Sequence, residues 1–275
     1  MLSIIVNHYK SPEVLKLCLK NITKNAPEGT EFIVADSETI EKTEVMMREY
    51  FPDVKFIPDA KNIGFAKSVN KGIEIARGEF LLIINADVIV TYPESIQKML
   101  EHMEKNPHIG ILGPRLLNIN GEHQYSCFRF YSPKTILARR TPFGKTPWGK
   151  KELAHFLMKD KVSAKSKKPP KEPMEVDWLM GSSMLVRKSA LEKVGPISQD
   201  YFMYMEDVDW CRNFWQNGYK VAYFPEVFFY HYHFQASKKR GAVLDILTNK
   251  YARIHFTSAI KYFRKFGLKV PKYGI

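Results

Sequence analysis

The chain has 275 residues, 45% of them hydrophobic, with 15 glycines and 16 prolines, which fits one large or two modest globular domains and excludes a mainly disordered or collagen-like chain. Its formal net charge is +13, and no apolar run approaches the ~20 residues that a bilayer-spanning helix needs. Three cysteines, Cys18, Cys127 and Cys211, are too few and too far apart for a disulfide framework or a CxxC metal knuckle, and Met1 to Tyr9 lacks a basic leader and cleavage site, so the expected setting is a reducing cytoplasm.

The first 113 residues alternate strand and helix signals. Ser3 to Asn7 is a short β-rich run, and Ser11-Pro12 reads as an N-cap followed by a first-turn proline, with Val14, Leu15, Cys18, Leu19 and Ile22 at helical spacing. Phe32 to Ala35 predicts a second strand, Glu41 to Tyr50 a helix and Lys55 to Ile57 a third strand. Phe65 to Arg77 predicts a helix closed by Gly78, Phe80 to Ile84 an apolar strand, Pro93 to Lys105 a helix and Ile109 to Leu112 a strand. Continuous apolar strands separated by amphipathic helices imply a parallel sheet covered on both faces, which binds ligands at the carboxyl ends of its strands. From about 130 to 173 the rhythm gives way to a Lys/Pro-rich stretch, expected to be a basic loop insertion with one short helix around Glu152 to Met158. Order returns at Val176, with strands at Ser183 to Val186, Tyr219 to Phe224 and Val227 to His233, a helix at Asp207 to Asn217, and a long basic helix pattern from Gly241 to Phe266.

The charge is uneven. Lys134 to Pro173 carries net +9, residues 238–275 carry another +9, and the rest is −5. An ordinary, slightly acidic domain thus bears two basic appendages, suited to nucleic acid, to an anionic membrane surface, or simply to solvent. The Lys-rich stretches lack the interleaved aromatics of a stacking platform, so no nucleic acid partner is expected.

Phosphate-loop signatures fail: Asn7-His8-Tyr9-Lys10 follows the first strand with no GxGxxG, and Gly144-Lys145-Thr146 has Arg139 where a Walker A loop begins with glycine. Other constellations carry chemistry. Asn85-Ala86-Asp87 emerges at the ligand edge of the sheet, where a carboxylate can bind Mg²⁺ or Mn²⁺ or can cap a turn. Glu206-Asp207-Val208-Asp209 opens a helix among Tyr201, Phe202, Tyr204 and Trp210. A carboxylate there either complements the helix dipole or, in a partly desolvated pocket, serves as a general base. His231 and His233 share one side of a strand, and Asn62-Ile63-Gly64-Phe65 precedes a helix whose free N–H groups can meet an anion.

Taken in order, these residues resemble a family 2 glycosyltransferase of the GT-A fold, in its rhamnosyltransferase-like branch. The resemblance rests on Ser3-Ile4-Ile5-Val6 through Ser11-Pro12-Glu13, Asn62-Ile63-Gly64-Phe65 with Asn70-Lys71-Gly72-Ile73, and Ala76-Arg77-Gly78-Glu79-Phe80 leading to Asn85-Ala86-Asp87. It continues through Gly113-Pro114-Arg115-Leu116-Leu117, Val176-Asp177-Trp178, Gly181, Leu185-Val186-Arg187, Phe202-Met203-Tyr204, Glu206-Asp207-Val208-Asp209 and Pro225-Glu226 before His231. The chain departs from the family pattern at His8-Tyr9-Lys10, at Ala35-Asp36-Ser37 and at Ala86.

The resemblance implies an α/β GT-A domain over 1–237, with a Rossmann-like, mostly parallel sheet flanked by helices. Residues 1–117 would form the nucleotide-binding half and 174–237 the acceptor and catalytic half, followed by a basic amphipathic helical tail over 238–275. It implies an inverting, metal-dependent transfer of a sugar, L-rhamnose first, from a nucleoside-diphosphate donor to a hydroxyl of a saccharide or lipid-linked acceptor, leaving UDP- and GDP-sugars open. Asp207 would be the catalytic base, with Glu206 as second candidate; Asp87 and His231 would hold Mg²⁺ or Mn²⁺, with His233 as the alternative ligand. Tyr9 and Asp36 would contact the nucleotide base, Asn62, Gly64 and Asn85 would lie along the donor, and Asp177, Trp178 and Gly181 near the sugar or acceptor. The tail would either dock on an anionic cytoplasmic membrane or pack on the domain. The alternatives are a nucleic-acid-binding protein and a sugar-nucleotide-binding relative without catalysis.

Overall fold

The computed structural model describes residues 1–162, 170–232, 250–271 and 273. Strands β1 (Leu2–Tyr9), β2 (Glu31–Ser37), β3 (Lys55–Asp59) and β4 (Phe80–Asn85) are joined by helices α1 (Pro12–Asn25), α2 (Glu41–Tyr50) and α3 (Phe65–Ile75). They are followed by β5 (Val88–Ile89), α4 (Glu94–Lys105), β6 (Ile109–Leu117), β7 (His123–Gln124) and β8 (Cys127–Phe128). Then come α5 (Pro133–Arg140), α6 (Pro147–Phe156), β9 (Met174–Glu175), β10 (Trp178–Leu179), β11 (Ser183–Arg187), α7 (Lys188–Val194), α8 (Glu206–Gln216), β12 (Lys220–His231) and α9 (Lys250–Phe266).

The main sheet has the order β3-β2-β1-β4-β11-β6-β12-β5, with β7 paired to β6 and β9 to β12. β1 to β4 pair in parallel, as do β6 and β12, and β11 runs antiparallel to both of its neighbours. The carboxyl ends of β1, β2, β4, β6 and β12 therefore lie along one edge, where β11 begins. Strand alternation feeds two cores. Ile4, Val6, Val34, Leu82 and Ile84 pack under α1, α2 and α4, while Ile5, Ile33, Leu81 and Ile83 pack against α3, α8 and α9.

Two elements differ from their sequence-based description, and a third takes one of the two placements expected of it. The two strands expected at 219–233 are one strand, β12, with a register shift between Phe224 and Phe228. Pro225 has no N–H to give the ladder, so the strand skips there and its pattern breaks without ending. The expected basic loop contains two helices rather than one. Ser132 and Thr135 form a reciprocal capping box at α5, Thr146 accepts from the Gly149 N–H at α6, and both helices begin with proline. A Cβ on Gly144 or Gly149 would collide with the carbonyl of Ala138 or Phe143, so glycine lets the two helices close on the turn between them.

Third, the described part of the tail is docked. In α9, Tyr262 is fully buried, its hydroxyl accepts from Arg212 at 3.0 Å, Lys265 pairs with Asp209 at 2.8 Å, and the Ser258 hydroxyl donates to the Met203 carbonyl at 2.9 Å. Much of the tail's aromatic content is thus core. The helix pattern expected at Gly241 to Asn249 lies outside the described residues, as does His233.

Candidate active site

At the ends of β1 and β2, His8 stands opposite Asp36 in the parallel register. Both are buried, with Nδ1 2.7 Å from Asp36 Oδ1. The Ser11 backbone N–H donates to His8 Nε2 at 3.0 Å, so Nδ1 carries the proton that it donates to Asp36. Ser11 therefore orients the imidazole through its backbone, and its side chain makes no cap bond to α1. Asp36 Oδ2 is buried with no hydrogen-bond partner among the described residues. Tyr9 is exposed, and its hydroxyl donates to Glu38 at 3.1 Å, beside the Lys10–Glu38 ion pair.

The start of α3 is wired internally. Asn62 Oδ1 accepts from the Gly64 N–H at 3.0 Å, and the Phe65 N–H donates to the Phe202 carbonyl at 3.3 Å. Two of the amides expected to face an anion are therefore engaged with protein. Gly64 has φ +84°, and any Cβ there would collide with the Phe202 carbonyl. This close approach joins the start of α3 to the loop that leads into α8.

Past β4, the Asn85 N–H donates to the Ser182 carbonyl and the Ala86 N–H to the Asn7 carbonyl, each at 3.0 Å. Asp87 follows, and its carbonyl accepts from the Tyr232 N–H at 2.8 Å, which fixes it beside the end of β12. His231 is buried, with Nε2 3.4 Å from Asp87 Oδ1 and Nδ1 2.8 Å from Gln124 Oε1. Because an amide oxygen only accepts, Nδ1 donates to it and Nε2 turns a lone pair toward the carboxylate. Asp87 Oδ1 is buried without a hydrogen-bond partner among the described residues. Two acceptors facing each other at this spacing fit a divalent cation. No group of three or more His, Cys, Asp or Glu able to hold a metal occurs among the described residues, so the remaining ligands would be water and substrate oxygens, as is usual for Mg²⁺.

The turn into α8 is built on strained backbone. Tyr204 (φ +68°) and Met205 (φ +71°) both take left-handed conformations, costing on the order of 1–3 kcal/mol each, and turn the chain into α8. The three carboxylates that follow have different fates. Asp209 is fully buried and bound by the Tyr201 hydroxyl, Asn213 and Lys265, so it anchors structure. Glu206 is buried, and its Oε2 has no partner among the described residues; burial first, then the charge of Asp207, push its pKa well above the usual carboxylate range. Asp207 accepts from the Gly181 N–H at 3.1 Å and the Val208 N–H at 2.9 Å, yet burial outweighs these bonds and lifts its pKa to about 6. Burial weighs on both carboxyls, and Asp207, with two N–H donors facing it, is the better placed of the pair to carry the charge that a general base needs.

Asp177 and Trp178 lie in the segment that leads through β10 to Gly181. Asp177 Oδ2 accepts from the Phe130 N–H at 2.6 Å, and burial raises its pKa to about 6. The Trp178 indole donates to the Arg129 carbonyl at 2.9 Å and stacks on Phe128 at 4.3 Å. Together they hold the segment that carries Tyr131, whose buried phenol bonds to Arg139 and feels the charge of Asp207. His8, Gln124, Tyr131 and Arg139 join the site without having been singled out as its members. His8 carried a faint signal as a departure from the family pattern, whereas Gln124 and Tyr131 enter only through tertiary contacts.

The Gly181-Ser182 step links the two centres: the Gly181 N–H binds Asp207, and the Ser182 carbonyl binds the backbone two residues before Asp87. The model of glycosyl transferase family 2 matches residues 3–195. The chain belongs to that family. It is a glycosyltransferase with the GT-A fold. An N-acetylglucosaminyl-diphospho-decaprenol L-rhamnosyltransferase of Mycobacterium tuberculosis is 27% identical over 238 residues, covering 82% of this chain and 74% of the relative. Rhamnosyltransferase WbbL of Escherichia coli is 37% identical over 84 residues, 29% of this chain and 32% of that protein. A mannosyltransferase from Pyrobaculum calidifontis, solved with GDP-Man and Mn²⁺, superposes with a TM-score of 0.57 at 20% identity, covering 94% of this chain and 64% of that longer one.

Proposed function

We propose that this glycosyltransferase moves a sugar, with L-rhamnose as first candidate, from a nucleoside-diphosphate donor to a hydroxyl of a saccharide or lipid-linked acceptor, with inversion at the anomeric carbon. The observation that carries the reading is the joining of two chemically distinct centres by Gly181-Ser182: the Asp87–His231 acceptor pair on one side and the Asp207 carboxylate on the other. Mg²⁺ or Mn²⁺ held by Asp87 and His231 would neutralise charge on the departing diphosphate. Asp207 takes the proton of the acceptor hydroxyl, and the upward shift of Glu206, from burial and then from the charge of Asp207, favours placing the negative charge on Asp207. Gly181 fixes the orientation of Asp207 through its N–H.

On the donor side, His8 occupies one oxygen of Asp36 and leaves Oδ2 as a single acceptor. One acceptor matches the lone imide N–H of thymine or uracil; the adjacent N–H groups of guanine would call for two. This supports a dTDP- or UDP-sugar, in keeping with rhamnosyltransferases among the relatives. Tyr9 would flank the base, and Asn62, Gly64 and Asn85 would line the donor. Among the described residues no helix is long and apolar enough to cross a membrane, and the proposed setting is the cytoplasmic side, at the membrane surface when the acceptor is lipid-linked.

A thermal-shift panel of nucleoside diphosphates and nucleotide-sugars, with Mn²⁺ or with EDTA, tests the donor site. A ligand at a hundredfold excess over its Kd adds about 2.7 kcal/mol to native-state stability. The expected result is a metal-dependent shift for a thymidine or uridine diphosphate that Asp87→Ala abolishes while keeping the unliganded melting temperature. Equal, metal-independent affinity in both proteins refutes the metal assignment. Transfer or hydrolysis of the bound donor separates an enzyme from a binding relative.

A further inference from the structure

Residues 133–156 fold into a helical hairpin whose apolar tip has no internal use. Ala138, Gly149 and Phe156 turn inward, whereas Leu137, Phe143 and Trp148 are 43%, 57% and 44% exposed. The capping box of α5, the Thr146 cap of α6 and the close glycine contacts described above hold this arrangement, so the exposure belongs to an ordered element and not to a loose loop. The charge around the tip is one-sided: residues 133–162 contain eight lysines and arginines against two carboxylates. Both carboxylates are engaged, Glu152 by the hydroxyls of Ser132 and Thr135 and Asp160 by Arg129 at 2.8 Å. Lys134, Lys145, Lys150 and Lys151 form no salt bridge among the described residues.

We propose that the α5–α6 hairpin docks on an anionic bilayer, with Leu137, Phe143 and Trp148 inserted at the interface and the surrounding lysines on the headgroups. Aromatic and aliphatic side chains rimmed by cations are the chemistry of an interfacial anchor, tryptophan favours the headgroup level, and paired positive charge with inserted apolar area gives binding that neither gives alone. The position of the hairpin agrees. Arg139 bonds the Tyr131 hydroxyl and Tyr131 lies within the field of Asp207, so docking would bring the catalytic base toward the lipid surface. That consequence rests on the acceptor reading above; the docking itself does not. The assignment makes the hairpin a contact surface distinct from the tail helix, which packs its Tyr262 face on α8 and leaves Phe256 and Ile260 exposed.

Of the four tryptophans, Trp178, Trp210 and Trp215 are buried, so Trp148 is a local probe. The full chain is mixed with phosphatidylcholine vesicles with and without phosphatidylglycerol, some carrying brominated acyl chains. Expected are co-sedimentation with the anionic vesicles that weakens as salt rises, and tryptophan quenching by brominated lipid that Trp148→Phe removes while binding persists. Leu137→Ser with Phe143→Ser should lower vesicle affinity tenfold or more at an unchanged donor-induced thermal shift, which shows that the variant is folded. Three results overturn the proposal: no binding to anionic vesicles at low salt by a chain that binds donor, binding without quenching of Trp148, or a double variant that dissociates an oligomer and keeps its vesicle affinity. Vesicle binding with quenching by a chain that binds no nucleotide-sugar would support the docking surface and refute the donor reading.

Discussion

Replacing Asp207 by asparagine tests the proposed base most sharply, because activity and stability should move in opposite directions. Loss of a general base lowers turnover by ~10² or more. Burial lifts the Asp207 pKa from 3.8 to about 6, so the ionised form costs the folded protein roughly 3 kcal/mol at a pH well above 6, at 1.36 kcal/mol per unit. Asparagine removes that cost but turns an NH₂ toward one of the two N–H donors, Gly181 or Val208, which takes back about 1 kcal/mol. A net gain of about 1–2 kcal/mol corresponds to a melting temperature higher by roughly 2–8 °C for a chain of this size. The sign fixes the window. A carboxylate with a raised folded-state pKa carries no penalty below its unfolded-state value, and the penalty grows as pH rises toward and past 6. The gain should therefore be present at pH 8 and absent at pH 4. Wild-type kcat/KM should fall as pH drops through about 6, as the base is protonated. Melting curves and donor-consumption rates at several pH values, with Glu206→Gln in parallel, give the answer. Near-normal kcat in Asp207→Asn with a large loss in Glu206→Gln would exchange the two roles, and a stability gain equal at pH 4 and pH 8 would refute the burial argument.

Gly64→Ala should lower the melting temperature by several degrees, since alanine must adopt φ +84° and meets the Phe202 carbonyl; an unchanged melt would show that the α3–α8 approach can open freely. His8→Ala leaves the buried Asp36 carboxylate without its charge-assisted hydrogen bond, at about 1.5–3 kcal/mol, and should weaken nucleotide binding alongside; denaturant midpoints and nucleotide titration check both. Gln124→Leu frees His231 to present the wrong nitrogen to Asp87, so Mn²⁺-dependent donor affinity should fall 10- to 100-fold while metal-free binding stays the same. A variant with wild-type metal titration would remove Gln124 from the site.

Strands β1 to β4 were legible because they are short continuous apolar runs between amphipathic helices, and which residues stand at their carboxyl ends follows from that geometry. Asp87 is an example: it follows Phe80 to Ile84 directly, so any parallel arrangement delivers it to the ligand edge. Strand direction is another matter. Ser183 to Val186 reads as an apolar run whichever way it points, and only pairing with β4 and β6 makes β11 antiparallel and brings Gly181 to Asp207. The His8–Asp36 and His231–Gln124 bonds span 28 and 107 residues, so no local pattern encodes them. The capping residues of α5 and α6 were present in the sequence, but the density of lysine and proline around them masked the helical pattern.

The family match ends at residue 195, before Glu206, Asp207 and α9, so the catalytic assignment depends on what holds those residues. Two consecutive left-handed residues without glycine's freedom, Tyr204 and Met205, are costly unless neighbouring structure over-determines them. That structure is α9. Ser258 binds the Met203 carbonyl, the His255 ring stacks on Tyr204 at 4.7 Å, and Arg212 and Lys265 tie α8 and α9 together through Tyr262 and Asp209. Burying one large side chain such as Tyr262 contributes roughly 1.5–3 kcal/mol, and each of these hydrogen bonds about 1 kcal/mol, which together match the order of the backbone strain. The tail helix, whose charge suits a partner, is thus the brace of the turn that carries Asp207. Its packed face steadies the turn that carries Asp207, while Phe256 and Ile260 on its outer face stay 49% and 37% exposed.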